Sequence, residues 1–416
     1  MSYKKTVLEN GISVITEALP HFNSVAVGIW VRVGSRDEGP SERGMCHFIE
    51  HTVFKGTGRR TASQIVRDIE AVGGSINAFT AKEYTCFHAR VLGRDLSLAL
   101  DVLGDLLRDP LFDPEELERE KAVVLQEIKM TEDNPEDYVH EVFFRTFWKD
   151  HPLGSPITGE AETVGTFTRE AVKAFFEGHF VPEGIIVAAA GNLEHGEVVK
   201  TVSEFLGGLE PRDGLPQRSQ PVEVGRGVEL VKRDLEQVHL CLGVAAVSQT
   251  DANRFPALVL NTILGGNMSS RLFQEVREKR GLVYSIYSFL QSFTDAGVLG
   301  VYAGTTPREL ERVLEVLREQ WRRLARGDVG EGEVSLAKEY LKGGLLLSLE
   351  SPEGRMSRLA KNEIYHGRYI PLEETVRMID SVTVDQVIEV AEALLEEEPC
   401  MVLLGEVDGK GWSSSW

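Results

Sequence analysis

The stretches EELEREKAVVLQEIKMTEDNPED (Glu115–Asp137) and EGEVSLAKEYLKGGLLLSLESPEG (Glu331–Gly354) share one design. Each has the pattern of a long helix that runs into an acidic turn with a proline. Pro135 in the first turn corresponds to Pro352 in the second, an offset of 352 − 135 = 217 residues. A helix and a turn that recur together are typical of an internal duplication. The pair therefore predicts two related halves.

The elements around these stretches recur in the same order. Apolar residues predict a strand at Val25–Val33 in the first half and a matching strand at Val238–Val247 in the second. A segment rich in proline and glycine, residues 208–227, is the best candidate for a linker. We predict an α+β fold of two homologous domains, residues 1–207 and 228–416, each a mainly antiparallel sheet with helices packed on one face.

The composition excludes several classes of protein. The chain has 416 residues with 45 Lys+Arg and 65 Asp+Glu, so its net charge is −20, which argues against nucleic-acid binding. The four cysteines form no C-x-x-C pair, which favours free thiols in a reducing compartment. We find neither a secretory signal nor an apolar run long enough to cross a membrane. These features favour a cytoplasmic protein that does not bind membranes.

A zinc-binding pattern lies in the first predicted helix, Gly44–Phe54. His47 and His51 are four residues apart, so their imidazoles share one face of the helix and can bind one zinc ion. Glu50 lies next to His51, where its carboxylate can take a proton from a water that the metal activates. The order H-x-x-E-H is the inverted zinc-peptidase motif. Incidental histidines on a surface helix are the alternative explanation.

A third ligand is predicted from the helix at Pro114–Thr131. Glu120 and Glu127 are seven residues apart, two helical turns, so they project from the same side. Glu127 would complete a His/His/Glu site, and Glu120 would hold an imidazole N–H and fix its tautomer. With the offset of 217, these glutamates correspond to Ala337 and Gly344.

The second half therefore repeats the framework without the ligands. Its counterpart of the first helix, Asn253–Leu264, contains no histidine. Residues that served only the fold would be needed in both halves. The asymmetry favours a chemical role in the first half over incidental histidines.

The motif GMCHFIEHTVFKGT (Gly44–Thr57) resembles that of the pitrilysin, insulysin and mitochondrial-processing-peptidase family of zinc peptidases. The resemblance covers about residues 7–405 and is strongest to short bacterial members. It implies that His47, His51 and Glu127 bind one Zn²⁺ per chain and that Glu50 is the catalytic base. It also implies that Glu120 supports the site.

The resemblance extends to two segments outside the metal site. REKRGLVY (Arg277–Tyr284) is similar to a family pair of arginine and tyrosine that helps to bind substrate and stabilise the transition state. A surface ion pair and a packed tyrosine are the alternative roles. The segment Asn77, Ala78, Phe79 and Thr80 matches an edge strand to which peptide substrates add as an extra strand.

We therefore expect a zinc metalloendopeptidase that cleaves peptides or unfolded presequence-like segments by attack of a metal-activated water. The resemblance implies a homodimer, or a heterodimer with a related subunit. A noncatalytic peptide-binding or structural subunit of such a heterodimer is the main alternative. A metal hydrolase that acts on compounds other than peptides is a second alternative.

Overall fold

The fold was analysed in a computed structural model, which describes residues 2–211, 215, 218–220, 223–395 and 397–407. The described chain forms two compact units. The first contains described residues of 1–130, 155–219 and 347–369, and the second those of 131–154, 220–346 and 370–416. Each unit therefore includes a segment from the other half of the sequence.

The strands and helices are numbered along the chain. The strands are β1 (Ser2–Val7), β2 (Ser13–Ala18), β3 (Ser24–Val31), β4 (Ser75–Thr80), β5 (Thr85–Leu92), β6 (Ile185–Gly191), β7 (Gly227–Lys232), β8 (Val238–Ala246), β9 (Val283–Ser292), β10 (Gly297–Thr305) and β11 (Cys400–Gly405). The helices are α1 (Met45–Thr52), α2 (Ala62–Glu70), α3 (Leu96–Arg108), α4 (Pro114–Asp133), α5 (Pro135–Phe147), α6 (Ala161–Val164), α7 (Arg169–His179), α8 (His195–Leu206), α9 (Arg254–Leu264), α10 (Leu310–Ala325), α11 (Glu331–Ser348), α12 (Pro352–His366), α13 (Leu372–Asp380) and α14 (Val384–Leu395).

The two sheets have one topology. The first has the strand order β1-β2-β6-β3-β5-β4, and the second has the order β7-β11-β8-β10-β9. In each sheet a single pair, β2–β6 or β7–β11, is parallel and the other pairs are antiparallel. Without β1, the strands of the two sheets correspond one to one in chain order. The predicted α+β fold of two homologous, mainly antiparallel domains is confirmed.

The main core of each unit lies between one face of its sheet and several helices. In the first unit, Val27 and Ile29 of β3 pack in one cluster with Phe48 of α1 and Leu103 of α3. The second unit repeats the arrangement with residues of β8, α9 and α10 in one cluster. The side chains of a strand alternate between the two faces, and the other face is also apolar, as Ala26 and Trp30 of β3 show. Each sheet therefore needs cover on both faces.

One additional helix in each unit covers this second face, and it comes from the other half of the sequence. Met356 and Leu359 of α12 pack against Trp30 and Ile186 of the first sheet. Arg355 of α12 also donates to Glu17 of β2 at 2.9 Å. In the second unit, α5 packs on the sheet in the same way, with Val139 and Phe143 in its apolar contact.

The exchanged helices begin at the two turns that the duplication aligns. Pro135 and Pro352 occupy the first helical position, where the missing N–H is tolerated. The side chain of Asn134 accepts a hydrogen bond from the Glu136 amide, and that of Ser351 accepts one from the Gly354 amide. The repeated turn thus lies a few residues after the points where the chain passes from one unit to the other, between residues 130 and 131 and between residues 346 and 347.

The division into residues 1–207, 208–227 and 228–416 stays a prediction about the repeat. Residues 212–214, 216–217 and 221–222 of the predicted linker lie outside the described residues. Among the described helices, none combines the length and apolarity that a transmembrane span requires.

The packing of α12 on the first sheet predicts that its apolar side chains stabilise the first unit. Leu359 is 2% exposed, so the change Leu359→Ala should lower the free energy of unfolding by about 2–5 kcal/mol. Leu347→Ala is the matched control, because Leu347 is 69% exposed and its loss should change stability by no more than about 0.5 kcal/mol. Urea denaturation followed by circular dichroism measures both. Equal unfolding curves for the two variants would contradict the packing.

Candidate functional site

The site is built on α1, whose first turn is held by a buried carboxylate. Glu38 is 4% exposed, and its two oxygens accept the backbone N–H groups of Gly44 at 2.7 Å and Cys46 at 2.8 Å. These N–H groups have no partner within the helix. Burial raises the pKa of Glu38 to about 8. Gly44 has a φ of +92°, and a Cβ there would lie 2.7 Å from the Thr158 carbonyl oxygen, so glycine is required.

Three donor groups meet between α1 and α4. Nε2 of His47 lies 3.6 Å from Oε2 of Glu127, and Nε2 of His51 lies 3.5 Å from the same oxygen. These distances are longer than an ordinary N–H···O hydrogen bond. Among the described histidines, cysteines, aspartates and glutamates, one group of three or more has its ligand atoms within 4.8 Å of one another. This group is His47, His51 and Glu127. The structure therefore brings together the three side chains that the sequence analysis selected.

The donor set fits a zinc ion. Zinc bonds of 2.0–2.2 Å in a tetrahedron place neighbouring donor atoms roughly 3.3–3.5 Å apart, close to the separations seen here. Burial and the neighbouring His51 lower the pKa of His47 to about 4, so this imidazole is neutral and able to bind metal at pH 7. Two imidazoles and one carboxylate are a common catalytic zinc set, in which a fourth position stays open.

Glu120 supports the site from α4. Its Oε2 lies 3.1 Å from Nδ1 of His51, and its Oε1 lies 2.7 Å from Nζ of Lys55. An ionised carboxylate only accepts hydrogen bonds, so His51 donates through Nδ1 and keeps the lone pair of Nε2 for a metal. Glu120 is 6% exposed, and Lys55 compensates its buried charge.

Glu50 projects from α1 toward the edge strand β4. The hydroxyl of Thr80 donates to Oε2 of Glu50 at 2.6 Å and holds the carboxylate in place. Burial raises the pKa of Glu50, whereas the hydrogen bond from Thr80 lowers it. A carboxylate with a raised pKa is better suited to accept and return a proton near neutral pH.

The predicted substrate strand is β4, which lies at the edge of the first sheet and, among the described strands, pairs with β5 alone. Its side chains alternate, so Ala78 packs near the core below α1 and Thr80 reaches Glu50. Phe79 points to the other face, where its ring meets Trp30 edge-on at 5.5 Å. Phe79 therefore does not share the face of the sheet that carries Glu50, and Asn77, two residues earlier, lies on the side of Phe79.

Arg277 and Tyr284 lie together in the second unit. A π-helical turn spans residues 273–278, and Gly281, with a φ of +60°, precedes the start of β9. The guanidinium of Arg277 lies 4.8 Å from the ring centre of Phe273 and 5.5 Å from that of Tyr284. Tyr284 is 77% exposed, so its hydroxyl is open to a ligand. The alternative of a tyrosine packed within the sheet is not what the structure shows.

The structure adds three contributors that the sequence analysis did not assign. These are Glu38 at the start of α1, Lys55 on Glu120, and the hydroxyl of Thr80 on Glu50. Thr80 was selected as a strand residue but not as a partner of Glu50. No local pattern indicates these contacts, because those of Lys55 and Thr80 join segments that are distant in the sequence and that of Glu38 depends on the path of the loop before α1.

Family models match both halves of the chain. The model described as insulinase (peptidase family M16) matches residues 13–161, and the model described as peptidase M16 inactive domain matches residues 166–341. The site described above lies in the part that the first model covers. The model described as an inactive domain covers most of the second half, which lacks the ligand residues.

Whole-chain relatives and solved structures agree with these models. An uncharacterized zinc protease of Streptomyces coelicolor is 42% identical over 98% of this chain and 90% of its own. An uncharacterized zinc protease of Bacillus subtilis is 38% identical over 96% and 98%. A protease from Helicobacter pylori shares the fold with a TM-score of 0.91 over 97% of this chain and 99% of its own, at 21% identity.

The fold is also shared with a structure from Pseudomonas fluorescens described as a peptidase M16 inactive domain. It has a TM-score of 0.91 over 99% of both chains, at 20% identity. At such identities the two solved structures bear on the fold alone. The family models and the zinc-protease relatives confirm the resemblance predicted from residues 44–57, and this chain belongs to the insulinase family of peptidases, family M16.

Proposed function

We propose that the protein is a zinc-dependent endopeptidase that cleaves peptides or unfolded presequence-like segments. The observation that carries the proposal is the convergence of His47, His51 and Glu127 at separations of 3.5 and 3.6 Å, with Glu50 one residue from a ligand. The names of the relatives, which are described as uncharacterized zinc proteases, support zinc as the metal.

Each residue of the site has a separate role in the proposed hydrolysis. When bound, zinc would polarise the scissile carbonyl and lower the pKa of an attacking water toward 7. Glu50 takes the proton of that water and returns it to the leaving amine, while Thr80 fixes the position of its carboxylate. The free edge of β4 binds an extended peptide through backbone hydrogen bonds, which requires little sequence specificity.

Arg277 and Tyr284 of the second unit are proposed to assist. A guanidinium and a phenol hydroxyl both donate hydrogen bonds to a developing oxyanion or to the substrate backbone. The stacking of Arg277 on Phe273 and Tyr284 restricts its side chain, which reduces the entropy lost on binding. We further propose that the chain works as a homodimer or with a related subunit.

A noncatalytic peptide-binding subunit is the competing function. It is favoured by one observation, namely that the family model matching residues 166–341 is described as an inactive domain. Against it stands the complete donor set with its supporting carboxylate and base. The two functions differ in whether a peptide is cut after it binds.

The change Glu50→Gln should remove proton transfer and keep zinc. The rate of peptide cleavage should fall by about 10²–10⁴-fold, while the zinc content stays near one ion per chain. Glu70→Gln on the exposed end of α2 is the matched control and should cleave at the unaltered rate. Mass spectrometry of a peptide library and elemental analysis measure the two quantities. A zinc-loaded wild type that binds but never cuts peptides, alone or with a related subunit, would favour the noncatalytic function.

The change Glu120→Gln should weaken the hold on His51. Loss of the charged acceptor should raise the dissociation constant for zinc by about 10–100-fold, as measured by competition with a chelator. Glu118→Gln, on the same helix and 71% exposed, is the matched control and should bind zinc as the wild type does. Equal zinc affinity for the two variants would exclude the supporting role of Glu120.

The change Tyr284→Phe removes only the hydroxyl. If this group stabilises the transition state, kcat should fall by about 10²-fold with a smaller change in KM. Tyr369→Phe, whose ring stacks on Tyr3 in the first unit, provides the control. Unchanged kcat in the Tyr284 variant would assign the tyrosine to packing or to ground-state binding.

A further inference from the structure

The second unit contains a pocket between α9, the loop after it and α11. Its volume is about 520 Å³, which lies within the range of small-ligand sites. Thr262 and Ile263 of α9 form one side, Leu336 and Tyr340 of α11 form another, and Ser270 lies on the connecting loop. Apolar surface predominates in this lining.

The pocket lies between the counterparts of the two helices that carry the metal donors. The offset of 217 superposes the start of α4, Pro114, on the start of α11, Glu331. It places Ala337, a pocket residue, at the position of Glu120, and Tyr340 at the position of Val123. The duplicated framework therefore has an apolar pocket around the positions that correspond to Glu120 and His51.

Three large apolar side chains around this pocket are exposed. Met268 is 69% exposed, Leu336 is 72% exposed and Tyr340 is 55% exposed. Removing such surface from water is favourable by about 25 cal/mol per Å². A cluster of exposed apolar residues around one concavity typically marks a binding site.

One of the residues that line the pocket carries a buried hydroxyl. Ser270 is 3% exposed, and its Oγ has no hydrogen-bond partner among the described residues. A buried hydroxyl without a partner is costly, so a ligand that carries an amide N–H or a carbonyl would satisfy it. The charge of Glu333 at the rim is compensated by Arg271, whose Nε and Nη2 lie 2.7 and 2.6 Å from it. The pocket thus complements a neutral ligand.

We propose that this pocket binds a neutral apolar side chain of an extended peptide, with the Ser270 hydroxyl hydrogen-bonded to the peptide main chain next to it. The volume accommodates an aromatic or branched aliphatic side chain. That the ligand is a peptide rests on the proposed function. The pocket itself, its apolar lining and the hydroxyl do not depend on catalysis.

The probe for the test is N-acetyl-phenylalaninamide, a neutral compound with one apolar side chain and peptide-like groups. Its dissociation constant for the full chain is measured by ligand-observed NMR in the Glu50→Gln background, where cleavage cannot intervene. Saturable binding is expected for this probe. N-acetyl-lysinamide, which carries a positive charge, should bind at least about tenfold more weakly.

Variants of the lining assign the binding to this pocket. Leu336→Ser should raise the dissociation constant by about fivefold or more. Tyr340→Ser is a second variant of the same kind. Leu346→Ser is the matched control, because Leu346 lies on the same helix, is 50% exposed and does not line the pocket. Thermal unfolding of each variant verifies that the chain is folded.

The change Ser270→Ala tests the hydroxyl. It should weaken binding of the amide probe by at least about threefold but leave the binding of toluene, which has no hydrogen-bonding group, unchanged. Absence of saturable binding in the Glu50→Gln background, or equal binding in the Leu336 and Leu346 variants, would overturn the proposal. Failure of cleavage with intact probe binding would refute only the proposed enzymatic function, whereas cleavage without probe binding would refute only the pocket.

Discussion

The carboxylate of Glu120 connects the two helices on which the rest of the site depends. Its hydrogen bond to Nδ1 of His51 sets the tautomer of that ring, and its ion pair with Lys55 offsets the cost of burying the charge. Because Glu127 lies two turns further along the same helix, the contact that orients His51 also fixes the distance of Glu127 from both imidazoles. The convergence of the three metal donors therefore depends on this one alignment.

Local sequence signals account for most of the secondary structure. The helix predicted at Pro114–Thr131 was found at Pro114–Asp133, and the strand predicted at Val238–Val247 was found at Val238–Ala246, because a proline at the first helical position and a continuous apolar run are strong signals. The residues of the HxxEH motif could also be predicted from the sequence, since the spacing of His47, Glu50 and His51 on one helix already places them side by side. Adding Glu127 required only the period of a second helix.

Tertiary contacts could not be predicted from the sequence in this way. The cap that Glu38 provides to α1 and the hydroxyl that Thr80 offers to Glu50 depend on how loops and strands assemble. The exchange of α5 and α12 is the clearest case. The sequence of an amphipathic helix shows that one face is apolar, but the same apolar face could pack on either sheet. Only the tertiary structure decides which sheet receives it.

The exchanged helices also constrain how such a chain can evolve. A gene fragment that encoded one half alone would produce a sheet with one apolar face bare and a helix with nothing to cover. Such a fragment would be prone to self-association through that face, and two copies could satisfy each other by reciprocal exchange. Joining two halves in one chain supplies each sheet with its covering helix, so the second half can keep the framework without the metal donors.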